Sequence, residues 1–200
     1  MNITAIFASP RQNSASKAFG KYFLNRIAEK STVQCNIDTF TLGDMQYGGC
    51  KACYLCQTEE ELGVCKETDD LIEVFASLRK ADILFMATPI YFGNLPSQLK
   101  AFTDRCKQFF MSTALGLGQI SSLPSGKILV MLTTQQVYEV TKYEKLRKLL
   151  HYFFKQLGFT DFYFIGEDLL SIEFDLNEHK TFYNIIDNCI DTIINPADRL

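Results

Sequence analysis

The sequence contains no tryptophan and only two histidines among its 200 residues. The sequence therefore offers few residues for catalytic arrangements that use a histidine base or for metal sites built from several histidines. Uncharged stretches such as residues 83–98 are too short, and too interrupted by proline, glycine and polar residues, to cross a bilayer. The N-terminus also has no positively charged, strongly apolar leader, so we expect a cytoplasmic protein with no membrane partner.

An excess of charge of one sign is also missing. The formal net charge is −3, with 22% charged and 47% hydrophobic residues. This balance gives no long-range attraction to phosphate backbones, so we expect no nucleic-acid partner. The hydrophobic content suits an ordinary globular fold, and no repeat, linker or low-complexity tract divides the chain. We therefore predict one domain over residues 1–200.

Apolar runs and amphipathic stretches alternate along the chain. Strands are predicted at 2–8, 33–42, 83–87, 128–132 and 161–165, and helices at 15–30, 70–80, 96–110, 142–157 and 178–194. Asp70, with Glu73 three residues later, indicates a capping box at the start of the second helix. The strict alternation predicts an α/β fold, a doubly wound five-stranded parallel sheet with helices on both faces.

The connection between the third predicted helix and the fourth predicted strand is unusual. Residues 112–126 contain no charged side chain and are rich in glycine, serine and leucine. A connection of this length in a compact domain is more often functional than idle. We expect a lid or an oligomer contact, with a plain surface loop as the alternative.

The loop after the first strand is rich in hydrogen-bond donors. Hydroxyls at Ser9, Ser14 and Ser16, the Asn13 amide and the Arg11 guanidinium precede or open the first helix. Together with the N–H groups of a helix N-terminus, these groups suit a phosphate. The loop has neither GxGxxG nor GxxxxGK[ST], which favours a mononucleotide such as FMN over a dinucleotide or a nucleoside triphosphate. The alternative is that Asn13 or Ser14 only caps the helix.

The loop after the central strand combines aromatic rings with a glycine. Its sequence is Pro89-Ile90-Tyr91-Phe92-Gly93-Asn94. Aromatic rings cover flat conjugated ligands, and a glycine lets the backbone approach the polar edge of such a ligand. Hydrophobic packing at the end of the sheet is the alternative.

Cysteines are concentrated in one segment. Four of the seven, Cys50, Cys53, Cys56 and Cys65, lie within sixteen residues. In a reducing compartment such a cluster indicates metal or redox chemistry before structural disulfides.

Four segments of the chain carry a family resemblance. They are Ser9-Pro10-Arg11-Gln12-Asn13-Ser14, the cysteine cluster followed by Asp69-Asp70, Pro89-Ile90-Tyr91-Phe92-Gly93, and Leu99-Lys100-Ala101-Phe102-Thr103-Asp104-Arg105. Over residues 1 to about 110 the sequence resembles the NADPH-dependent FMN reductase and iron–sulfur flavoprotein branch of the flavodoxin-like superfamily. The resemblance implies a flavodoxin-like sheet of order 2-1-3-4-5, non-covalent FMN, and homodimers or homotetramers. Within the last segment, a helix-terminal ion pair explains Asp104 and Arg105 as well as a ligand contact does.

The resemblance also implies site residues. The loop after the first strand would hold the FMN phosphate, and the loop after the central strand would line the isoalloxazine ring. The turn after the fourth strand is polar here, and its Thr134 is a candidate for the flavin edge. The implied cofactor-binding residues are Ser9, Arg11, Asn13, Ser14, Ala15, Ser16, Pro89, Ile90, Tyr91, Phe92, Gly93 and Thr134.

For the cysteines, the resemblance implies ligands of a [4Fe–4S] cluster. In iron–sulfur flavoproteins a compact pattern of four cysteines supplies the four thiolates. The candidate metal ligands here are Cys50, Cys53, Cys56 and Cys65. Free thiols or a reversible disulfide, and a tetrahedral zinc site, stay open as alternatives.

The expected function is an FMN-dependent oxidoreductase that passes electrons from NAD(P)H through bound flavin to an acceptor. The acceptor would be a flavin, a quinone, a nitro compound or a protein. Because the cofactor would supply the chemistry, we predict no catalytic side chain. One alternative is an electron-transfer protein that exchanges electrons with ferredoxin and does not oxidise NAD(P)H. Another is a redox sensor that uses the cysteines as its switch.

Overall fold

The computed structural model describes residues 1–58, 63–111, 120–136, 140–167, 175 and 178–195. Its strands are β1 (Asn2–Phe7), β2 (Asn36–Thr41), β3 (Ile83–Pro89), β4 (Phe110–Met111), β5 (Ile120–Ser121), β6 (Lys127–Thr134) and β7 (Phe159–Glu167). Its α-helices are α1 (Ala15–Lys30), α2 (Leu71–Lys80), α3 (Ser97–Arg105), α4 (Val140–Gln156) and α5 (Lys180–Ile194). None of the helices in these ranges is long and apolar enough to span a membrane.

Strands β2, β1, β3, β6 and β7 form one parallel sheet in that order. Counted among the sheet strands alone, the order is 2-1-3-4-5, which confirms the predicted doubly wound topology. The winding reverses between β1 and β3, because β2 lies outside β1 whereas β6 and β7 follow β3. Open sheets of this kind bind ligands in the crevice at the carboxyl ends of the strands beside such a reversal.

Helices cover both faces of the sheet. On one face, Phe19 of α1 and Ile186 of α5 belong to a buried cluster with residues of β1, β3 and β6. On the other, Phe102 of α3 and Phe154 of α4 belong to a second cluster, which α2 also joins. Every residue of β3 and β6 is buried, as expected for central strands covered on both faces. The predicted edge position of β2 is confirmed, and its residues are exposed or half-buried.

The predicted capping box at the start of α2 is wrong. Asp70 has helical backbone angles and its side chain makes no capping hydrogen bond. Its Oδ2 instead accepts a hydrogen bond from the backbone N–H of Gln46 at 2.6 Å. Asp69, one residue earlier, accepts from the N–H of Leu71 at 3.2 Å. Local spacing did not reveal this, because the donor that holds Asp70 lies 24 residues away in the sequence.

Part of the connection 112–126 is folded. Strands β4 and β5 pair antiparallel, and the N–H of Ser122 donates to the carbonyl of Phe109 at 2.8 Å. Residues 112–119 lie outside the described residues. The lid or oligomer contact therefore stays a prediction.

Helix α1 approaches the sheet closely at Gly20. A Cβ at this position would lie 2.7 Å from a ring carbon of Phe7 and 2.8 Å from Cβ of Ala87. Such distances are too short for any side chain without movement of its neighbours. Glycine at this position therefore lets α1 pack directly against the carboxyl ends of β1 and β3.

Candidate functional site

Backbone hydrogen bonds hold three loops together at the carboxyl edge of the sheet. The N–H of Ala8, just after β1, donates to the carbonyl of Ala87 in β3 at 2.9 Å. The N–H of Ile90, just after β3, donates to the carbonyl of Thr134 at the end of β6, also at 2.9 Å. The loops that sequence reasoning assigned to the phosphate, the flavin ring and the flavin edge are therefore neighbours.

The loop after β1 contributes three buried hydroxyls. Ser9, Ser14 and Ser16 are each less than 5% exposed, and Ala15 between them is also buried. The side chain of Ser14 caps α1 by accepting from the N–H of Lys17 at 3.3 Å. Ser14 therefore caps the helix, and this role is compatible with the predicted phosphate contact, since the hydroxyl of an N-cap lies among the N–H groups that bind anions.

Arg11 and Asn13 lie on the exposed outer side of the same loop. The N–H of Arg11 donates to the hydroxyl of Ser9 at 3.2 Å, which closes a tight turn at the loop's start. The next residue, Gln12, donates to Asp44 at 2.8 Å and ties the loop to the segment after β2. A hydrogen bond thus closes the start of the loop and a side-chain contact ties its middle to Asp44, while the Arg11 side chain is exposed at the surface of the same loop.

The loop after β3 ends in a tight two-residue turn. Tyr91 and Asn94 exchange two backbone hydrogen bonds, at 2.9 and 3.0 Å. Between them Phe92 and Gly93 both have positive φ, at +51° and +75°, as a type I′ turn requires. Gly93 adopts this conformation freely, whereas Phe92 does so at a cost of about 1 kcal/mol or more. The strained Phe92 ring is fully exposed.

The end of β6 completes this edge with two buried threonines. Thr134 is 5% exposed and is held through the carbonyl bonded to Ile90. The hydroxyl of Thr133 lies 3.2 Å from the hydroxyl of Tyr143, near the start of α4, and 3.3 Å from the carbonyl of Ile165 in β7. Hydroxyl groups therefore lie at the carboxyl end of β6 and also directly after β1.

The four clustered cysteines line a single cavity of about 310 Å³. Cys50 and Cys53 are exposed, and Cys56 and Cys65 are half-buried. No disulfide joins them. Their shared cavity also receives residues from the end of α3 and the turn after it: Asp104, Arg105, Lys107 and Gln108.

The cysteine segment has backbone strain of its own. Ala52 and Tyr54 have positive φ, at +52° and +59°. Among the described residues, these two and Phe92 are the non-glycine residues with positive φ. Such conformations cluster at functional sites, where the surrounding structure maintains them.

Side chains from other parts of the chain hold this segment in place. Buried Gln108 accepts a hydrogen bond from the N–H of Cys65 at 3.2 Å. The amide of Gln57 donates to the carbonyl of Lys107 at 3.3 Å and lies 3.6 Å from the sulfur of Cys56. The turn after α3 therefore contacts the segment at two of the four cysteines, at the backbone of Cys65 directly and near the sulfur of Cys56 through Gln57.

The residue that sequence reasoning underestimated is Arg105. Asp104 and Arg105 both form ion pairs at the end of α3, as the alternative to a ligand contact expected, but with different partners: Asp104 pairs with Lys100 at 2.5 Å. Arg105 is 2% exposed and forms a bidentate ion pair with Asp69, in which Nη1 and Nη2 lie 2.7 and 3.2 Å from the two carboxylate oxygens. It follows Phe102 at helical spacing, on the buried face of α3, and that spacing is the signal that could have revealed it.

Arg105 and Asp69 each stabilise the charged form of the other. Burial lowers the pKa of Arg105, but hydrogen bonds to Asp69 and the neighbouring side chain of Cys65 outweigh it, and the net shift is upward. Burial raises the pKa of Asp69, but the hydrogen bonds from Arg105 outweigh it and the net shift is downward. Both groups are therefore charged at neutral pH.

The donor sets fit the two groups implied by the sequence. Three buried hydroxyls at a helix N-terminus suit the FMN phosphate, and an exposed ring beside a glycine suits a flat ligand. Across the described part of the chain, no three histidine, cysteine or acidic side chains converge as ligands of one metal ion. The ligands of a [4Fe–4S] cluster bind four different irons, so they stand around a cavity as these cysteines do.

Comparison with known proteins places these features in a family. A family model for NADPH-dependent FMN reductase matches residues 1–143. The iron-sulfur flavoprotein of Methanosarcina thermophila is 34% identical over 106 residues, which cover 52% of this chain and 52% of that protein. The chain thus spans about half the length of the curated relatives it matches.

Two solved structures share the fold over nearly the whole chain. An FMN-dependent NADH-azoreductase from Bacillus anthracis, in complex with FMN, has a TM-score of 0.74 at 18% identity and covers 98% of this chain and 100% of its own. An NAD(P)H:quinone oxidoreductase from Methanothermobacter marburgensis has a TM-score of 0.77 at 16% identity, with 96% and 98% covered. At these identities the likeness shows the fold alone. The family model, which matches most of the chain, shows that it belongs to the NADPH-dependent FMN reductase family.

Proposed function

We propose that this chain is an FMN-dependent oxidoreductase that takes electrons from NAD(P)H and passes them to a small-molecule or protein acceptor. The observation that carries the proposal is the meeting of three loops at the carboxyl edge of β1, β3 and β6, one with buried hydroxyls and one with an exposed ring. Bound FMN would accept hydride from NAD(P)H and release the electrons singly or in pairs. The protein's own part is to bind and orient the cofactor.

The phosphate would bind at the start of α1. Ser9, Ser14 and Ser16 would donate from within the protein, and Arg11 and Asn13 would close over the phosphate from the exposed side. Ser14 already lies at the helix N-terminus, where the helix dipole favours a negative charge. No bound metal ion is needed to hold a monophosphate in such a loop.

The isoalloxazine ring would lie against residues 89–93, with Thr134 at its edge. The strain at Phe92 supports this, because a left-handed aromatic residue exposed to solvent has no folding role that glycine or asparagine would not serve better. Binding a flat ligand would give that ring a contact partner. NAD(P)H and the acceptor would then reach the open face of the flavin in turn.

The phosphate assignment is tested by a double substitution, Arg11→Gln with Ser14→Ala. We expect FMN retention to be lost, with affinity falling at least about a hundredfold, since two charge-assisted or buried hydrogen bonds disappear. A matched control, Arg147→Gln with Ser31→Ala, removes the same residue types from the surface of α4 and the end of α1. Equilibrium dialysis with FMN measures both. Unchanged FMN affinity in the first variant would refute the loop assignment.

We propose in addition that Cys50, Cys53, Cys56 and Cys65 bind a [4Fe–4S] cluster. The specific support is that all four cysteines line one cavity, together with the buried Arg105. A cluster there would let the protein transfer single electrons, including with a protein such as ferredoxin. Iron and acid-labile sulfide are measured in protein purified without oxygen. About four of each per chain is the expected result, and zinc or no metal would reject it.

Three further properties belong to the same proposal. We place the protein in the cytoplasm as one domain, in agreement with its unpaired cysteines. We also propose a homodimer or homotetramer. Leu149 and Tyr152, both exposed on α4, are candidates for the surface that such an oligomer would cover. Light scattering after gel filtration measures the state directly.

A further inference from the structure

Arg105, which lines the cysteine cavity, is the most deeply buried charged side chain among the described residues. Arg105 is 2% exposed and is the largest of the fully buried side chains. Long cationic side chains are almost never buried this completely unless they are paired. An ion pair explains how Arg105 can be buried, but its location beside the cysteine cavity requires a further explanation.

The guanidinium is held rigidly. Nη1 donates to Asp69 at 2.7 Å and to the carbonyl of Gly48 at 3.2 Å, and Nη2 donates to Asp69 at 3.2 Å. The carbonyl of Gly48 lies two residues before Cys50, so the arginine also anchors the start of the cysteine segment. The third guanidinium nitrogen, Nε, is buried and has no hydrogen-bond partner among the residues that the structure describes. A buried donor left unpaired is costly, and it marks a place where a further acceptor is missing.

The ion pair presents its positive end to the thiols. Arg105 lines the cavity together with all four clustered cysteines, whereas Asp69 does not line it. Among the four clustered cysteines, Cys65 lies nearest to this pair in sequence, and its N–H donates to Gln108, three residues after Arg105. The negative charge that balances Arg105 is therefore set back from the cavity.

The other charges around the cavity are of a different kind. Lys51 pairs with Glu67 at 2.7 Å, with the lysine side chain 68% exposed. Asp104 pairs with Lys100 at the surface. Lys66 and Lys107 are not buried. Water and salt screen such groups, whereas a charge in the protein interior acts at low dielectric.

We propose that Arg105 is a positioning residue of the cysteine cavity, whose fixed buried charge stabilises the electron-rich form of an iron–sulfur centre bound there and so raises its reduction potential. The inference rests on the proposed cluster. The redox step is the gain of one electron by the oxidised centre, with dithionite as the reductant in the test. Four thiolates give the bound centre a net negative charge, which that electron increases by one. A fixed cation therefore favours the reduced form.

The test compares variants that separate charge from shape. Arg105→Lys keeps the positive charge but loses the guanidinium group that donates to both Asp69 and Gly48. Arg105→Gln loses the charge. Arg105→Gln with Asp69→Asn removes both partners, so no buried carboxylate is left unpaired if the single variant folds poorly. Lys107→Gln is the matched control, because it removes a cation of the same cavity that solvent screens.

The readout is the midpoint potential of the centre, from an anaerobic dithionite titration followed by EPR. Iron, FMN content and thermal melting are measured on the same samples. At a fixed potential we expect the reduced-to-oxidised ratio to fall about tenfold in Arg105→Gln, a shift of about 59 mV for a one-electron couple. The double variant should shift in the same direction. Arg105→Lys and Lys107→Gln should each stay closer to the wild-type potential.

The outcomes separate this inference from the proposal that the cysteines bind a cluster. Full iron content with an unchanged potential in both variants that lack Arg105 would overturn the electrostatic role and leave the cluster proposal standing. Wild-type protein that takes up no iron after reconstitution would overturn both. A folded Arg105→Gln protein that binds no iron, beside an Arg105→Lys protein that does, would support the need for the charge.

Discussion

The two candidate sites of this protein are built in opposite ways. The edge formed by β1, β3 and β6 is assembled by backbone hydrogen bonds between adjacent loops, and its serine and threonine side chains are buried. The cysteine cavity is assembled by side chains that reach across the sequence, chiefly Arg105, Gln108 and Gln57, and two of its four thiols are exposed. The first site follows from topology, whereas the second depends on a few individual contacts.

Because the two sites are held together by different contacts, different kinds of substitution should disrupt them. Changes at the sheet edge should act through the packing of whole elements, and changes at the cavity should act through single charged or polar contacts. The two sites should therefore be separable by mutation, because each has its own supports. Four variants test this separation.

The largest effect is expected from Cys53→Ser with Cys56→Ser. Removing two of four thiolates should abolish the iron content, since a hydroxyl is a poor ligand for a cluster. FMN content should not change, because neither cysteine lies at the sheet edge. Iron and flavin are quantified in the same sample. Cys35→Ser, which removes a half-exposed cysteine outside the cavity, is the control and should alter neither. A parallel loss of FMN in the double variant would mean that the sites are not independent.

The next largest effect is expected from Asp69→Asn. This change leaves Arg105 buried without its counter-charge, and breaking a buried pair in this way costs about 3–5 kcal/mol. The melting temperature should fall by about 10 °C for a chain of this size. Lys100→Gln breaks an exposed pair instead and should cost less than about 1 kcal/mol. Equal effects of the two variants would contradict the burial argument.

The stability difference between wild type and Asp69→Asn should also depend on pH. The folded pKa of Asp69 lies below its ordinary value of 3.8. Its contribution to stability is therefore present above the unfolded pKa and is lost as the pH falls through the folded one. The difference in unfolding free energy between wild type and Asp69→Asn should be constant from about pH 7 to pH 5 and shrink below about pH 4. Urea titrations across this range measure it.

A smaller effect, confined to the other site, is expected from Gly20→Val. The added carbons would overlap Phe7 and Ala87 and push α1 away from the strand ends. We expect a loss of about 2 kcal/mol of stability, within the range for overpacked cores, and weaker FMN binding because Ser14 and Ser16 move with the helix. Gly49→Val, where a Cβ meets nothing within 4 Å, is the control. Normal FMN affinity in Gly20→Val would show that the helix position does not set the phosphate loop.

The smallest effect on stability is expected from Phe92→Asn. Asparagine tolerates positive φ better than phenylalanine, so the free energy of unfolding should rise by about 0.5–1 kcal/mol. FMN should bind several-fold more weakly, because a ring that would contact the flavin is gone. Chemical denaturation and FMN titration measure the two changes. A variant that gains stability and keeps its affinity would place Phe92 outside the flavin site.

The fold could be predicted from the sequence because its signals are local. Continuous apolar runs mark the central strands, and their alternation with helices determines a parallel sheet. Short loops such as residues 9–14 and 89–94 then fall at one edge by topology alone. The interpretation of these loops needed no knowledge of distant contacts, and the structure places them side by side.

What could not be predicted depends on contacts far apart in sequence. Asp70 looked like a helix cap by spacing, but its carboxylate accepts from Gln46 instead. Asp69 and Arg105 occur in two different family segments, and nothing in their spacing showed that they pair. The cavity that the four cysteines share is lined also by Arg105 and by residues of the turn after α3, so its composition emerged only from the structure.

The central claim is that this chain binds FMN and reduces it with NAD(P)H. The most direct test is an ultraviolet–visible spectrum of protein purified without oxygen and supplied with FMN, followed by NADPH in the same cuvette. We predict a flavin spectrum that bleaches on addition of NADPH, with a broad absorbance beneath it if the cysteines hold a cluster. A colourless protein that takes up no added FMN would contradict the account and favour a redox switch built on the cysteines.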